Sequence, residues 1–147
     1  MRVPAIMSWP GRIQPGVTSA LAHTMDLFPT ALALAGAKLP TDRPYDGVDL
    51  APLLFRGEEP TDRPFFYYRG DRLFACRLGN YKAHFTTQPG YGPGKPEAHE
   101  PPLLFDVAVD PGEQYNIANE HPDVLEAIAA AVTAHREDLK PGIPQLD

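Results

Sequence analysis

The sequence predicts an α/β strand-and-helix piece followed by a small antiparallel α+β subdomain of about four strands and a C-terminal helix. Three observations carry that expectation. Residues 3–9, "VPAIMSW", are a nearly continuous apolar run bounded by "PGR", the pattern of a strand buried on both faces in a parallel sheet. The second half holds four short runs rich in aromatic and apolar residues, separated by turn signals such as "GD" and "GN", as antiparallel strands are. Beyond Pro122 the apolar residues switch to helical spacing, which places a helix over one face of the small sheet.

Composition sets the bounds. The 147 residues are 43% hydrophobic and 22% charged, enough for one real hydrophobic core. Pro and Gly make up about a fifth of the chain, below the roughly 25–30% of low-complexity disorder, so the chain folds with many turns. The net charge is −6 and no basic run can follow a phosphate backbone, which argues against a nucleic-acid partner. No apolar run approaches the roughly 20 residues of a membrane span. The N-terminus lacks the charged start and apolar core of a signal peptide, so any export signal would stand upstream. Cys76 is the sole cysteine, which excludes an intrachain disulfide and a Cys-based metal cage. Asn80, Asn116 and Asn119 are followed two residues on by Lys82, Ala118 and His121, so no N-glycosylation acceptor is encoded.

Taken in order, the run at 3–9 needs neighbouring strands. After the turn "IQPG", residues 26–35 read as a helix: Asp26 is placed to cap the first amides, Pro29 is tolerated in the first turn, and Gly36 stops it. Leu27, Ala31, Leu34 and Ala35 form the face expected to cover a sheet. "PTDRPYDGVDLAPLL" is a turn-rich connector ending in one helical turn at 50–54. Strands are expected at 65–69, 73–78, 81–87 and 103–107, with Gly79-Asn80 as a tight hairpin. Between the third and fourth, "QPGYGPGKPEAHEPP" reads as a long Pro/Gly loop. The final helix spans 123–139, with Pro122 at its start and a stripe of Leu125, Ile128, Val132 and Leu139. "LKPGIPQLD" ends the chain as a tail. The organisation divides into residues 1–60 and 61–147.

Six stretches in order, "RVPAIMSWPGRIQPG", "TMDLFPTALALAG", "LPTDRPYDGVDLAPLL", "RPFFYY", "FACRLGNYKAHF" and "HEPPLLFDVAVDPGEQYNIA", cover nearly the whole chain. Together they resemble the C-terminal region of the sulfatase family, and within it the arylsulfatase A-like enzymes. The resemblance implies an alkaline phosphatase-like α/β fold with a large central sheet and a smaller C-terminal antiparallel sheet packed by a helix. Residues 1–60 would then end the catalytic domain and 61–147 form the C-terminal subdomain. It also implies, for the full-length enzyme, a calcium site of Asp and Asn ligands, a formylglycine nucleophile, and Lys, His and Arg groups around the sulfate. Those positions resemble segments upstream of Met1. No catalytic or metal-binding residue is therefore assigned here, and the chain alone is expected to be inactive. The implied partners are an N-terminal catalytic portion and, for the full enzyme, a small sulfate ester; without that portion the apolar run at 3–9 is exposed and self-association into a homo-oligomer is expected. The implied setting is periplasmic, lysosomal or secreted.

"SWPGR" fits the loose pattern [C/S]-x-P-x-R that carries the sulfatase nucleophile. Pro15-Gly16 follows Arg12 closely and turns the chain where that motif begins a helix, so a strand running into a turn is the expected role. "CRLGN" has Leu78 and Asn80 where the motif wants Pro and Arg, which makes Cys76 a packing residue. His99, at the end of the Pro/Gly loop beside Pro101-Pro102, is the leading candidate to touch substrate. Lys82 and His84 alternate on one strand and so share a face that lines either the cleft or solvent. Asp42, Asp46 and Asp49 depart from a calcium-loop frame, Asp110-Pro111-Gly112 of "DPGEQYN" reads as a tight turn with Glu113 to Asn116 leading toward the final helix, and His23, His121 and His135 lack metal-site spacing. The rival to a sulfatase C-terminal part is a stand-alone non-catalytic binding or oligomerisation module, or part of a related phosphoesterase.

Overall fold

The computed structural model describes residues 3–60, 63–90 and 94–139. The expected tail at 140–147 and the middle of the Pro/Gly loop, 91–93, lie outside the described residues. The chain forms two compact units, Met1–Thr61 and Asp62–Asp147.

In the first unit a 3-10 turn, Thr24–Asp26, leads into α1, Leu27–Leu34, and the connector ends in α2, Ala51–Arg56. The Asp26 carboxylate does not cap α1. Its Oδ2 accepts the His23 N–H at 2.9 Å and its Oδ1 accepts the Val48 N–H at 2.9 Å. Thr30 Oγ1 donates to the Asp26 carbonyl at 2.6 Å and accepts the Leu50 N–H at 2.9 Å. Asp26 and Thr30 are buried, whereas Leu27 and Phe28 stand 50% exposed and Leu34 41%. This inverts the expected apolar face, because what meets α1 within this unit is the connector, whose amides at 48 and 50 need acceptors. Gly36 ends α1 at φ 67°, as anticipated from its freedom to adopt a left-handed cap.

Residues 3–9 belong to no strand. A parallel strand exists only by pairing, and the sheet among the described residues is made of later segments. Val3 and Ile6 are consequently exposed. "SWPGR" forms a turn: the Arg12 and Ile13 amides both donate to the Trp9 carbonyl at 3.0 Å, and Gly11 takes φ 78°. Phe55 of α2 meets the Trp9 ring edge-on at 6.0 Å.

In the second unit β1 (Phe65–Arg69), β2 (Arg72–Leu78), β3 (Tyr81–Thr87) and β4 (Glu97–Asp106) pair antiparallel in the order β1-β2-β3-β4. Gly79, at φ 57°, makes the β2–β3 hairpin. β4 begins at Glu97, so His99 lies on a strand and not in the expected loop. Pro101 and Pro102 are tolerated because β4 is an edge strand. A register shift between His84 and Thr86 marks where β3 adjusts to this longer partner.

α3, Pro122–Asp138, lays Ile128 and Val132 against Cys76, Ala83 and Leu104. Leu139 falls outside the expected stripe, since it follows the helix in extended backbone and is 43% exposed. Between β4 and α3 the chain turns back. Asp110 Oδ2 accepts the Gln114 and Tyr115 amides at 2.7 and 2.8 Å. Asn116 Oδ1 then accepts the Leu104 N–H at 2.9 Å, and the Ile117 N–H donates to the Leu104 carbonyl at 2.9 Å. The returning segment thus runs along the outer edge of β4. Among the described residues no helix is long and apolar enough to cross a membrane.

At Gly47 a Cβ would stand 2.1 Å from the Met25 carbonyl oxygen, whereas at Gly16 it would meet nothing within 4 Å. Gly47→Ala is therefore expected to cost about 1–3 kcal/mol in urea unfolding of the first unit, with Gly16→Ala near neutral. Equal midpoints for the two variants would contradict the close approach.

Candidate functional site

Strand register builds one sheet face from Phe65, Arg77, Lys82 and Phe105 in one row and Tyr67, Ala75, His84 and Leu103 in the next. Lys82 and His84 do share this face, as their alternation requires. What joins them is Glu113 from the returning segment. Lys82 Nζ donates to Glu113 Oε1 at 2.6 Å, and His84 Nε2 lies 2.6 Å from Glu113 Oε2. The Lys82 ammonium also sits 4.8 Å from the Tyr67 ring centroid, and Phe105 meets the His84 ring edge-on at 5.8 Å. The side chains of Lys82, His84 and Glu113 are 10%, 17% and 22% exposed, so the pairing is better shielded than a surface ion pair.

The charges respond to that setting. For Glu113 burial opposes ionisation, yet hydrogen bonding and charge from Lys82, and then from His84, hold its carboxyl below the ordinary range. His84 is pushed down by burial first and by the Lys82 charge second, against the pull of Glu113. His99 adds a small further push on His84 from β4, while its own Nε2 lies 2.7 Å from Thr87 Oγ1. The structure thus gathers Lys82 and His84 into one cluster through Glu113, with His99 electrostatically coupled to it.

Other candidates resolve as packing. Cys76 is fully buried on β2, and desolvation pushes its thiol up to about 12, which disfavours the nucleophilic thiolate. His135 stacks on Phe66 at 3.8 Å and meets the Tyr68 hydroxyl at 2.9 Å, and His121 lies beside Tyr81. Asp42 pairs with Arg43, and Asp49 accepts the Ala51 N–H at the start of α2. Among the described residues no three His, Cys, Asp or Glu side chains gather to hold a metal. Among the described residues neither a calcium site nor a formylglycine position therefore fits, since Ser8 leads into a turn and not a helix and Cys76 is buried.

The sequence alone does not single out Glu113, which reads there as part of the segment leading from the Asp110-Pro111-Gly112 turn toward the final helix. The available signal was chemical: two cationic side chains on one face of a strand call for an acid, but its place 31 residues after Lys82 is set by topology alone.

Residues 60–147 match the family model described as the C-terminal region of aryl-sulfatase. The chain belongs to the sulfatase family. Its relatives include N-acetylgalactosamine-6-sulfatase of Canis lupus familiaris, 43% identical over 171 residues covering 100% of this chain and 33% of that protein. Arylsulfatase A of Homo sapiens is 45% identical over 150 residues, covering 87% of this chain and 29% of its own length. Among solved structures, a Pseudoalteromonas sulfatase, PsFucS1, shares the fold with a TM-score of 0.70 at 21% identity, over 80% of this chain and 26% of that one. The chain thus spans about a third of the length of the curated relatives it matches. The four-stranded antiparallel sheet with its closing helix is the sulfatase-like fold expected from the sequence.

The shifts of His84 and Glu113 in this sulfatase C-terminal region set a pH dependence below neutrality. With His84 lowered from 6.5, the unfolded chain takes up a proton below that value while the folded chain still resists it, so stability falls with pH until the folded value is passed. With Glu113 lowered from 4.5, a further contribution is lost below that value as the folded carboxylate is protonated. The thermal midpoint of the second unit is expected to drop from pH 7 to pH 5 and again toward pH 4. His84→Gln should flatten the first drop, and an unchanged slope in that variant would contradict the assignment.

Proposed function

We propose that the chain is the C-terminal part of a sulfuric ester hydrolase, in which residues 1–60 end the catalytic domain and residues 61–147 form a subdomain bordering the substrate cleft. The complete enzyme would hydrolyse a sulfate ester to an alcohol and sulfate. The observation that carries this reading is the match to the aryl-sulfatase C-terminal region combined with coverage of only about a third of the relatives. Calcium and formylglycine belong, in this reading, to the remaining portion, and the chain alone is inactive because it brings neither. His99, beside the cluster of Lys82, His84 and Glu113, faces the ester; the shared sheet face of Lys82 and His84 and the shielding of their side chains support a binding role there.

The purified chain, supplied with calcium and an aryl sulfate, should show no turnover above the buffer rate; calcium-dependent hydrolysis would overturn its assignment as a non-catalytic part. Within a longer protein carrying the catalytic segment, His99→Ala should raise KM roughly fivefold, the worth of one hydrogen bond at about 1 kcal/mol, with kcat nearly constant. An unchanged KM removes His99 from the cleft.

The first unit exposes Val3, Ile6, Val17, Leu27 and Phe28, apolar surface that a neighbouring domain would cover. Sedimentation of the chain alone at rising concentration should therefore show self-association, whereas a clean monomer at high concentration would contradict a missing neighbour.

A further inference from the structure

Glu113 adopts φ 54°, a left-handed backbone that only glycines share among the described residues. For a side chain with a Cβ that conformation is unfavourable, so an interaction must offset it. The carboxylate provides two: Oε1 faces Lys82 Nζ and Oε2 faces His84 Nε2, each at 2.6 Å. An ionised carboxylate can only accept hydrogen bonds, and the Lys82 ammonium keeps this one ionised. The proton between Glu113 and His84 therefore belongs to His84 Nε2, and in the uncharged ring Nδ1 carries a lone pair. The charged and titratable groups around the ring are Lys82 on its own strand, Glu113 on the returning segment and His99 on β4, with Phe105 at its edge. A carboxylate that fixes a histidine tautomer through one nitrogen decides what the other nitrogen can bind.

We propose that Glu113 is a positioning residue that locks His84 in the Nε2–H tautomer, so that Nδ1 selects a hydrogen-bond donor of the ligand, a hydroxyl or an amide N–H, and not a sulfate oxygen. The selection rests on the reading that His84 borders the cleft; the tautomer does not. A sulfate group offers acceptors only and would meet the Nδ1 lone pair with repulsion. A sugar hydroxyl or acetamido N–H supplies the missing proton.

Long-range proton–nitrogen NMR of the full chain, with nitrogen-15 in its histidines, reads the tautomer directly at pH 7.5. Wild-type His84 should show the Nε2–H pattern; the Nδ1–H pattern would overturn the proposal. In Glu113→Gln the amide oxygen stays with the Lys82 ammonium and the amide N–H turns to His84 Nε2, so the ring should switch to Nδ1–H. An unswitched ring in the folded variant likewise overturns it. Lys82→Met serves if Glu113→Gln does not fold: it leaves the carboxylate on Nε2, so the Nε2–H tautomer should persist while His84 titrates at higher pH, and loss of the tautomer contradicts the role given to Glu113. The ligand arm uses the longer protein carrying the catalytic segment, with N-acetylgalactosamine, the sugar in the name of the dog relative, against inorganic sulfate. The His84 Nδ1 resonance should move with the sugar and stay with sulfate. A response to sulfate instead overturns the selection; a response to neither, with the tautomer as expected, overturns the cleft reading alone and leaves the positioning role standing.

Discussion

The return of the chain along the outer edge of β4 is the constraint on which the second unit depends. β4 ends the sheet, so the Leu104 N–H and C=O point away from β3 and need partners elsewhere. Leu104 is fully buried, and a buried amide left unpaired costs about 1–3 kcal/mol. Asn116 and Ile117 supply those partners. Once they are bound there, the Asp110-anchored turn fixes residues 110–116, Glu113 is carried over the polar face, and Ala118 enters the core where α3 starts. The apolar face under Ile128 and the charged face under Glu113 are thereby set by one edge interaction.

That constraint also explains how much was legible in the sequence. β1 and β3 stood out because they are short, aromatic-rich and bounded by turn residues, and the β2–β3 hairpin followed from Gly79. The helix stripe predicted Ile128 and Val132 correctly because burial at helical spacing is a local pattern. β4 was cut short by its two prolines, which mark a strand interior as unfavourable unless the strand lies at an edge; edge position is a property of the whole sheet. The run at 3–9 was read as a strand from its hydrophobicity, but pairing requires neighbours, and hydrophobicity alone does not supply them. Asp26 was read as a helix cap, whereas its carboxylate bridges to Val48, 22 residues away. Lys82 and His84 could be placed on one face by counting; Glu113 could not, since its contact with them is made by the return of the chain.

The polar chemistry of the described residues gathers on one face of the sheet, where Glu113 joins Lys82 and His84. The one cysteine is buried and held as a thiol, Ser8 of "SWPGR" lies outside any helix start, and no acidic cluster gathers for calcium among the described residues. What the sheet offers is a shielded set of cationic and imidazole groups neutralised by a single internal carboxylate. Such an arrangement holds side chains in fixed positions. Membership of the sulfatase family gives that arrangement its setting: the matched region is described as the C-terminal one, and the first unit leaves apolar side chains exposed.

The most direct test is the nucleotide sequence immediately upstream of the codon for Met1. A C-terminal part of a sulfatase requires an in-frame upstream reading frame about twice the length of this chain, as its 33% coverage of the dog relative implies, containing a Cys- or Ser-type activation motif. An in-frame stop codon close to Met1 would contradict it and leave a self-standing, non-catalytic module in its place.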